Sequence, residues 1–344
     1  MQHVLINLIL IPSIVCVISI ACVILVQRIA RALHVVDIPD TTRKLHSTPI
    51  PLLGGLGIFI AFWIGWYVSK DLYPRIPDIR FLGLFFSGVV LMIGGYIDDK
   101  YHMRPKYQII APCIAVLIAL FFTIRANEIT NPFGGVLQLS SILSIVISGV
   151  WLLGMMYTTK LLDGLDGLAS GVTAIGTLTI AGLALATKYY QPDMALLSLI
   201  LFGAILGFLF FNIHPARIFL GEGGSVWIGF MIGAFALMSG SKIATTLLVM
   251  GVPALDVAWV ILRRMLKERK SPFQGDRLHL HYRLIDAGLT IPQAVGVFYL
   301  LSFAFGLSSL FLLSFQKFQA LGLLLLIMVV LTVLVTKNKK ARLR

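Results

Sequence analysis

The chain of 344 residues is 58% hydrophobic and only 12% charged, with a mean hydropathy of +0.93. That excludes a water-facing globular surface and makes lipid the solvent for most of the chain. The net charge of +13 does not mark a nucleic-acid partner, because no basic patch interleaved with aromatics stands outside the apolar runs. Basic loops in such proteins set orientation instead. Cys16, Cys22 and Cys113 lie inside apolar runs, without metal or disulfide spacing.

In chain order, runs long enough or nearly long enough to span a bilayer occur at about 4–27, 52–69, 81–97, 108–124, 141–159, 167–187, 195–211, 225–239, 244–262, 293–314 and 319–336. They predict an all-α, polytopic integral membrane protein of about eleven transmembrane helices. The first run is too long for a signal-peptide core and lacks a basic leader, so it reads as a retained helix. Asn127 to Leu139, with Asn131-Pro132 and Gly134-Gly135, reads as an outer turn or short hairpin.

With the N-terminus outside and the C-terminus cytosolic, 21 of the 28 basic residues fall in segments 28–51, 98–107, 158–166, 212–224 and 263–292 and in the basic tail 337–344. That is the distribution the positive-inside rule requires. The acids share this face, leaving only Asp71, Asp78, Glu128 and Asp193 outside. Acids crowded onto a basic face point to a site, so residues 1–344 read as one membrane-embedded domain whose cytosolic loops carry that site.

Asp98-Asp99 closes the third run just after Gly94-Gly95. Adjacent carboxylates at a membrane boundary repel and lose hydration, so they persist where a cation neutralises them; otherwise they are solvated acids that end a helix. Asp163-Gly164-Leu165-Asp166-Gly167 puts carboxylates at i and i+3 on a glycine turn, able to converge on one ligand or simply to cap the next helix. The loop from Asn212 to Ser225 sets Glu222 among three glycines, a pattern that suits a backbone-rich anion cradle or an ordinary re-entry turn. Its Phe219 could stack on a base. His279-Leu280-His281-Tyr282-Arg283 reads as an extended segment whose histidines face one way, to hold phosphate as imidazolium or metal as imidazole. Arg43-Lys44-Leu45-His46 adds cations on the same face; topology alone accounts for Arg43 and Lys44 but does not ask for His46. Asp256, within the ninth run, is either functional or a buried hydrogen-bonding group.

In this order, over roughly residues 37–285, these loops resemble the bacterial polyprenyl-phosphate N-acetylhexosamine-1-phosphate transferases of glycosyltransferase family 4. The family's paired aspartates correspond to Asp98 and Asp99, its Asp-Gly-Leu-Asp-Gly to residues 163–167, and its Arg-Ile-Phe-Leu-Gly-Asp-x-Gly-Ser to the stretch ending at Ser225. Its His-x-His matches His279 and His281, and its Arg-Lys-x-His matches Arg43 to His46.

The resemblance implies transfer of a sugar 1-phosphate from a UDP-sugar to undecaprenyl phosphate, with release of UMP, at the cytosolic face of the inner (plasma) membrane. The His-Leu-His form favours N-acetylhexosamine 1-phosphate. It further implies Mg²⁺, or Mn²⁺ in its place, held by Asp98, Asp99 and Glu222, with the two aspartates also acting catalytically. Asp163, Asp166, Asn212 and Phe219 would form the nucleotide pocket; Lys44, His46, Lys160, His279, His281 and Arg283 would hold phosphates. The partners are then the UDP-sugar, the lipid phosphate and the bilayer, with room for a homodimer. A secondary transporter and a catalytically inactive family member are the competing readings; acids at one interface and the lack of an inverted repeat disfavour the transporter. Three departures from the family pattern stand out. Tyr157 and Lys160 replace asparagines, Glu222 replaces an aspartate, and His102 stands where many relatives carry a third acid.

Overall fold

The structure, a computed structural model, describes residues 2–39, 48–72, 78–186, 190–240, 242–268 and 279–342. It is almost entirely helical. After α1 (Gln2–Ala32), two short antiparallel strands, β1 (Val36–Asp37) and β2 (Ile50–Pro51), precede α2 (Gly54–Ser69) and α3 (Asp78–Tyr101). Next come α4 (Pro105–Gln108), α5 (Ile110–Phe121) and an antiparallel hairpin of β3 (Glu128–Thr130) and β4 (Val136–Gln138), with Ile129 opposite Leu137. The hairpin turns through the Asn131-Pro132 and Gly134-Gly135 stretch, where the sequence called for a reversal. The remaining helices are α6 (Ser141–Leu162), α7 (Leu168–Leu185), α8 (Pro192–Asn212), α9 (Gly221–Met238), α10 (Ile243–Val249), α11 (Gly251–Arg263), α12 (Leu280–Asp286), α13 (Ile291–Phe311) and α14 (Ser314–Arg342).

Among the described residues, eight helices are long and apolar enough to cross a membrane: α1, α3, α6, α7, α8, α9, α13 and α14. Two shorter apolar helices cover Gly54–Ser69 and Pro105–Phe121. The run at 244–262, which hydropathy presents as one straight span, is broken: α10 and α11 meet at 83°. Hydropathy averages apolarity along the chain and carries no information on direction.

α9 is the hub. It packs against α6, α3 and α2, and 89% of its apolar window is buried, against 28% for α1 and 17% for α14. A helix apolar on every side needs protein or lipid all round; α9 has protein, whereas α1 and α14 turn most of their surface outward. Trp227 of α9 is wholly enclosed, with Phe59 and Phe62 of α2 set edge-on against its ring. Phe121, Ile142 and Phe311 point outward, an apolar surface that only lipid can cover. The chain is a multi-pass membrane protein.

The first turn of α9 is clamped between two backbones. A Cβ on Gly95 of α3 would lie 2.1 Å from the Gly223 nitrogen, and one on Gly55 of α2 would lie 2.0 Å from the Gly224 Cα. The amides of Gly54 and Gly55 donate to the carbonyls of Phe219 and Leu220, and the Phe219 amide donates to the Pro51 carbonyl, each at 2.9 Å. Glycine is what lets three elements meet at backbone distance here.

Candidate active site

A cavity of about 650 Å³ opens where α3, α6 and α8 end and where α7 and α9 begin. It is lined by Asp98, Asp99, Lys160, Asp163, Asp166, Asn212, Phe219 and Glu222, contributed by segments far apart in sequence. Most of the polar residues expected from sequence therefore face one space.

Asp99 accepts the backbone amide of Glu222 with both carboxylate oxygens, at 3.0 and 3.1 Å, and so caps α9 from another helix. A carboxylate there also meets the positive end of the helix dipole. Gly221 allows the approach: its φ is +73°, and a Cβ on it would sit 2.5 Å from Asp99 Oδ2. Asp98, buried, accepts at Oδ1 from the Met103 amide at 2.8 Å and from Gln108 Nε2 at 3.2 Å. Glu222 is paired with the Lys160 ammonium, which also donates to Gln108 Oε1 at 2.9 Å. Two of the three departures from the family pattern, at positions 160 and 222, thus touch each other.

Carboxylate oxygens on one cavity wall are the right donor chemistry for Mg²⁺. Among the described residues, however, no three His, Cys, Asp or Glu side chains converge as a ready-made ligand set. Asp98, Asp99 and Glu222 each serve a protein donor instead.

Asp163 ends α6, and burial, helped by the Glu222 and Asp166 carboxylates, pushes its carboxyl up to about 7. Asp166 Oδ2 meets His214 Nδ1 at 2.7 Å and accepts the Ala216 amide at 3.1 Å. Asn212 is buried, and its amide works as a clasp. Its Oδ1 accepts from the Gly167 amide at 3.1 Å and Ser170 Oγ at 2.8 Å, while Nδ2 donates to the Ile218 carbonyl at 3.0 Å. It ties the Asp163–Gly167 turn to the 213–220 loop.

The histidine segment differs from its expected form. His279 immediately precedes α12 and His281 lies in that helix's first turn, their rings parallel with centroids 5.6 Å apart. Neither lines the cavity, nor does Arg283, although Tyr282 between them does. His279 Nδ1 meets Asp256 Oδ2 at 2.8 Å. His281 stands behind the Asp163–Gly167 turn, where a Cβ on Gly164 would lie 2.5 Å from its Nε2. Burial, with His279 beside it, lowers His281 to about 3, and neither of its ring nitrogens has a hydrogen-bond partner. Its surroundings favour the neutral imidazole over the imidazolium, the first of the two forms expected from sequence. Lys44 and His46 lie outside the described residues.

Gln108 and His214 are site residues that the sequence did not single out. Gln108 carries no charge and belongs to no motif; His214 sat in plain view beside Pro215, but nothing in its spacing tied it to Asp166.

The glycosyl transferase family 4 profile matches residues 81–240. The probable undecaprenyl-phosphate N-acetylglucosaminyl 1-phosphate transferase of Bacillus subtilis is 30% identical over 317 residues, covering 90% of this chain and 86% of its own. The decaprenyl-phosphate N-acetylglucosaminephosphotransferase of Mycolicibacterium smegmatis is 30% identical over 333 residues, 85% of this chain and 80% of its own. The phospho-N-acetylmuramoyl-pentapeptide-transferase of Halalkalibacterium halodurans is 31% identical over 295 residues, 80% of this chain and 86% of its own. With the motifs gathered around one cavity and similarity running along most of both chains, this protein belongs to glycosyl transferase family 4.

Proposed function

We propose that this protein transfers a sugar 1-phosphate, by preference N-acetylhexosamine 1-phosphate, from a UDP-sugar to undecaprenyl phosphate. An oxygen of the lipid phosphate attacks the sugar-bearing phosphorus, the bond to the bridging oxygen breaks, and UMP leaves. The observation that carries the reading is the convergence of Asp98, Asp99, Asp163, Asp166 and Glu222 on one cavity at helix ends. A coupling-ion site would place its acids midway along broken helices instead.

In this reading Asp98, Asp99 and Glu222 would hold Mg²⁺ or Mn²⁺, which supplies charge neutralisation on the diphosphate. Phe219 and the Asp163–Gly167 turn receive the nucleotide. Asp99 or Asp98 takes or orients the residual proton of the lipid phosphate, and Lys160 faces the phosphates. In this reading the eight long spans, the bent α10–α11 pair and the two shorter apolar helices would together make eleven, with the N-terminus outside and the C-terminus cytosolic. That orientation would set the cavity on the cytosolic face of the inner membrane; a homodimer fits the same scheme.

The test is UMP release by purified protein with undecaprenyl phosphate and a panel of UDP-sugars, with and without EDTA. Lipid-dependent, EDTA-sensitive release from one donor is expected. Absence of release from every donor, beside a working control enzyme, rejects the reading for that panel.

A further inference from the structure

Lys160 faces the cavity, yet its ammonium is engaged by protein on two sides. Nζ donates to Glu222 and, at 2.9 Å, to Gln108 Oε1, with the Tyr157 ring centroid 5.7 Å away. Gln108 in turn donates from Nε2 to Asp98 Oδ1 at 3.2 Å. One chain of polar contacts therefore runs from Asp98 through Gln108 and Lys160 to Glu222. The Lys160 and Glu222 side chains retain 17% and 21% of their exposure, so water and salt screen the pair only weakly. A divalent ion entering at Glu222 meets the like charge of the ammonium, and displacing it leaves that ammonium without its counter-charge, a costly state for a mostly buried lysine.

We propose that Lys160 is a tethered competitor of the divalent cation at Glu222. It neutralises that carboxylate in the donor-free protein and keeps metal affinity low until the anionic donor draws the ammonium away. The inference rests on the transferase reading for the metal's place in the reaction; the ion pair itself stands without it.

Mn²⁺ alone is titrated into the full-length protein in detergent, with no nucleotide or lipid, and free Mn²⁺ is measured by electron paramagnetic resonance. Lys160→Met is expected to tighten binding about tenfold or more over wild type. Lys160→Arg keeps the cation and should bind as wild type does. Adding Glu222→Gln to Lys160→Met should abolish the gain. Lys160→Asn replaces the methionine variant if that chain does not fold, because its amide can still serve Glu222. Equal affinity in wild type and the neutral variants overturns the proposal. So does a gain shared by Lys160→Arg, or one that survives Glu222→Gln. Since no turnover is read, a protein that shows the expected pattern but releases no UMP from the donor panel rejects the transferase reading for that panel and leaves this inference standing.

Discussion

Asp256 grips the start of α12 at two points: its Oδ2 meets His279 Nδ1, and its Oδ1 accepts the Leu280 amide, both at 2.8 Å. Both side chains of the Asp256–His279 pair are almost wholly enclosed. The acid within the ninth apolar run therefore has a partner, and it anchors the segment that backs the Asp163–Gly167 turn. Asp256→Ala leaves a buried imidazole and a backbone amide unserved and should cost about 3 kcal/mol. Asp256→Asn, which keeps an acceptor, should cost less. Thermal melts of the purified variants check this, and indistinguishable melts for the two would sink it.

Asp99 gives α9 a cap that also faces the cavity, so this structural role and the catalytic role proposed for it separate by substitution. Asp99→Asn retains an acceptor oxygen for the Glu222 amide and should melt near wild type, while UMP release falls about a hundredfold or more. Asp99→Ala loses the cap as well and should be less stable by about a further 1 kcal/mol. Asp99→Asn with full activity would remove Asp99 from the chemistry.

The raised carboxyl of Asp163 makes a pH-dependent contribution whose sign is fixed. The folded protein binds this proton up to about pH 7, whereas an unfolded carboxyl releases it near 3.8. Stability is thus undiminished below the unfolded value and declines as pH rises toward 7. In EDTA, Asp163→Asn should melt several degrees above wild type at pH 8 and close to it at pH 4. A difference that does not change with pH contradicts the assignment.

The clamp on α9 predicts unequal tolerance of a single methyl group. Gly95→Ala should lose about 2 kcal/mol or more, because the new carbon would meet the Gly223 backbone. Gly154→Ala in α6 meets nothing within 4 Å and should be neutral or gain about 0.5–1 kcal/mol from helix propensity. Detergent melts of the two variants, measured side by side, decide it.

What the sequence disclosed, and what it withheld, follows from which signals survive in one dimension. Every apolar run proved helical, and Asn127 to Leu139 proved a hairpin, because hydropathy and turn residues are local properties. The motif spacing brought Asp98, Asp99, Asp163 and Glu222 to one cavity. The break between α10 and α11 was hidden because the apolar run continues across it and hydropathy carries no direction. His279 and His281 looked extended because alternation over three residues cannot separate a strand from the start of a helix. Asn212 lines the cavity as expected, but its clasp depends on Gly167, Ser170 and Ile218, which no local pattern connects to it.

The glycines of the 221–224 turn carry a last consequence. A helix beginning at a glycine-rich loop would ordinarily present bare amides to a phosphate. Here the Glu222 amide is held by Asp99, and the nitrogens of Gly223 and Gly224 are roofed by Gly95 and Gly55. The diphosphate donor proposed above would find no open amide at Glu222, Gly223 or Gly224 and would meet side chains or ions there instead. Recognition of that proposed kind would read how much negative charge arrives more than the outline of the group that carries it.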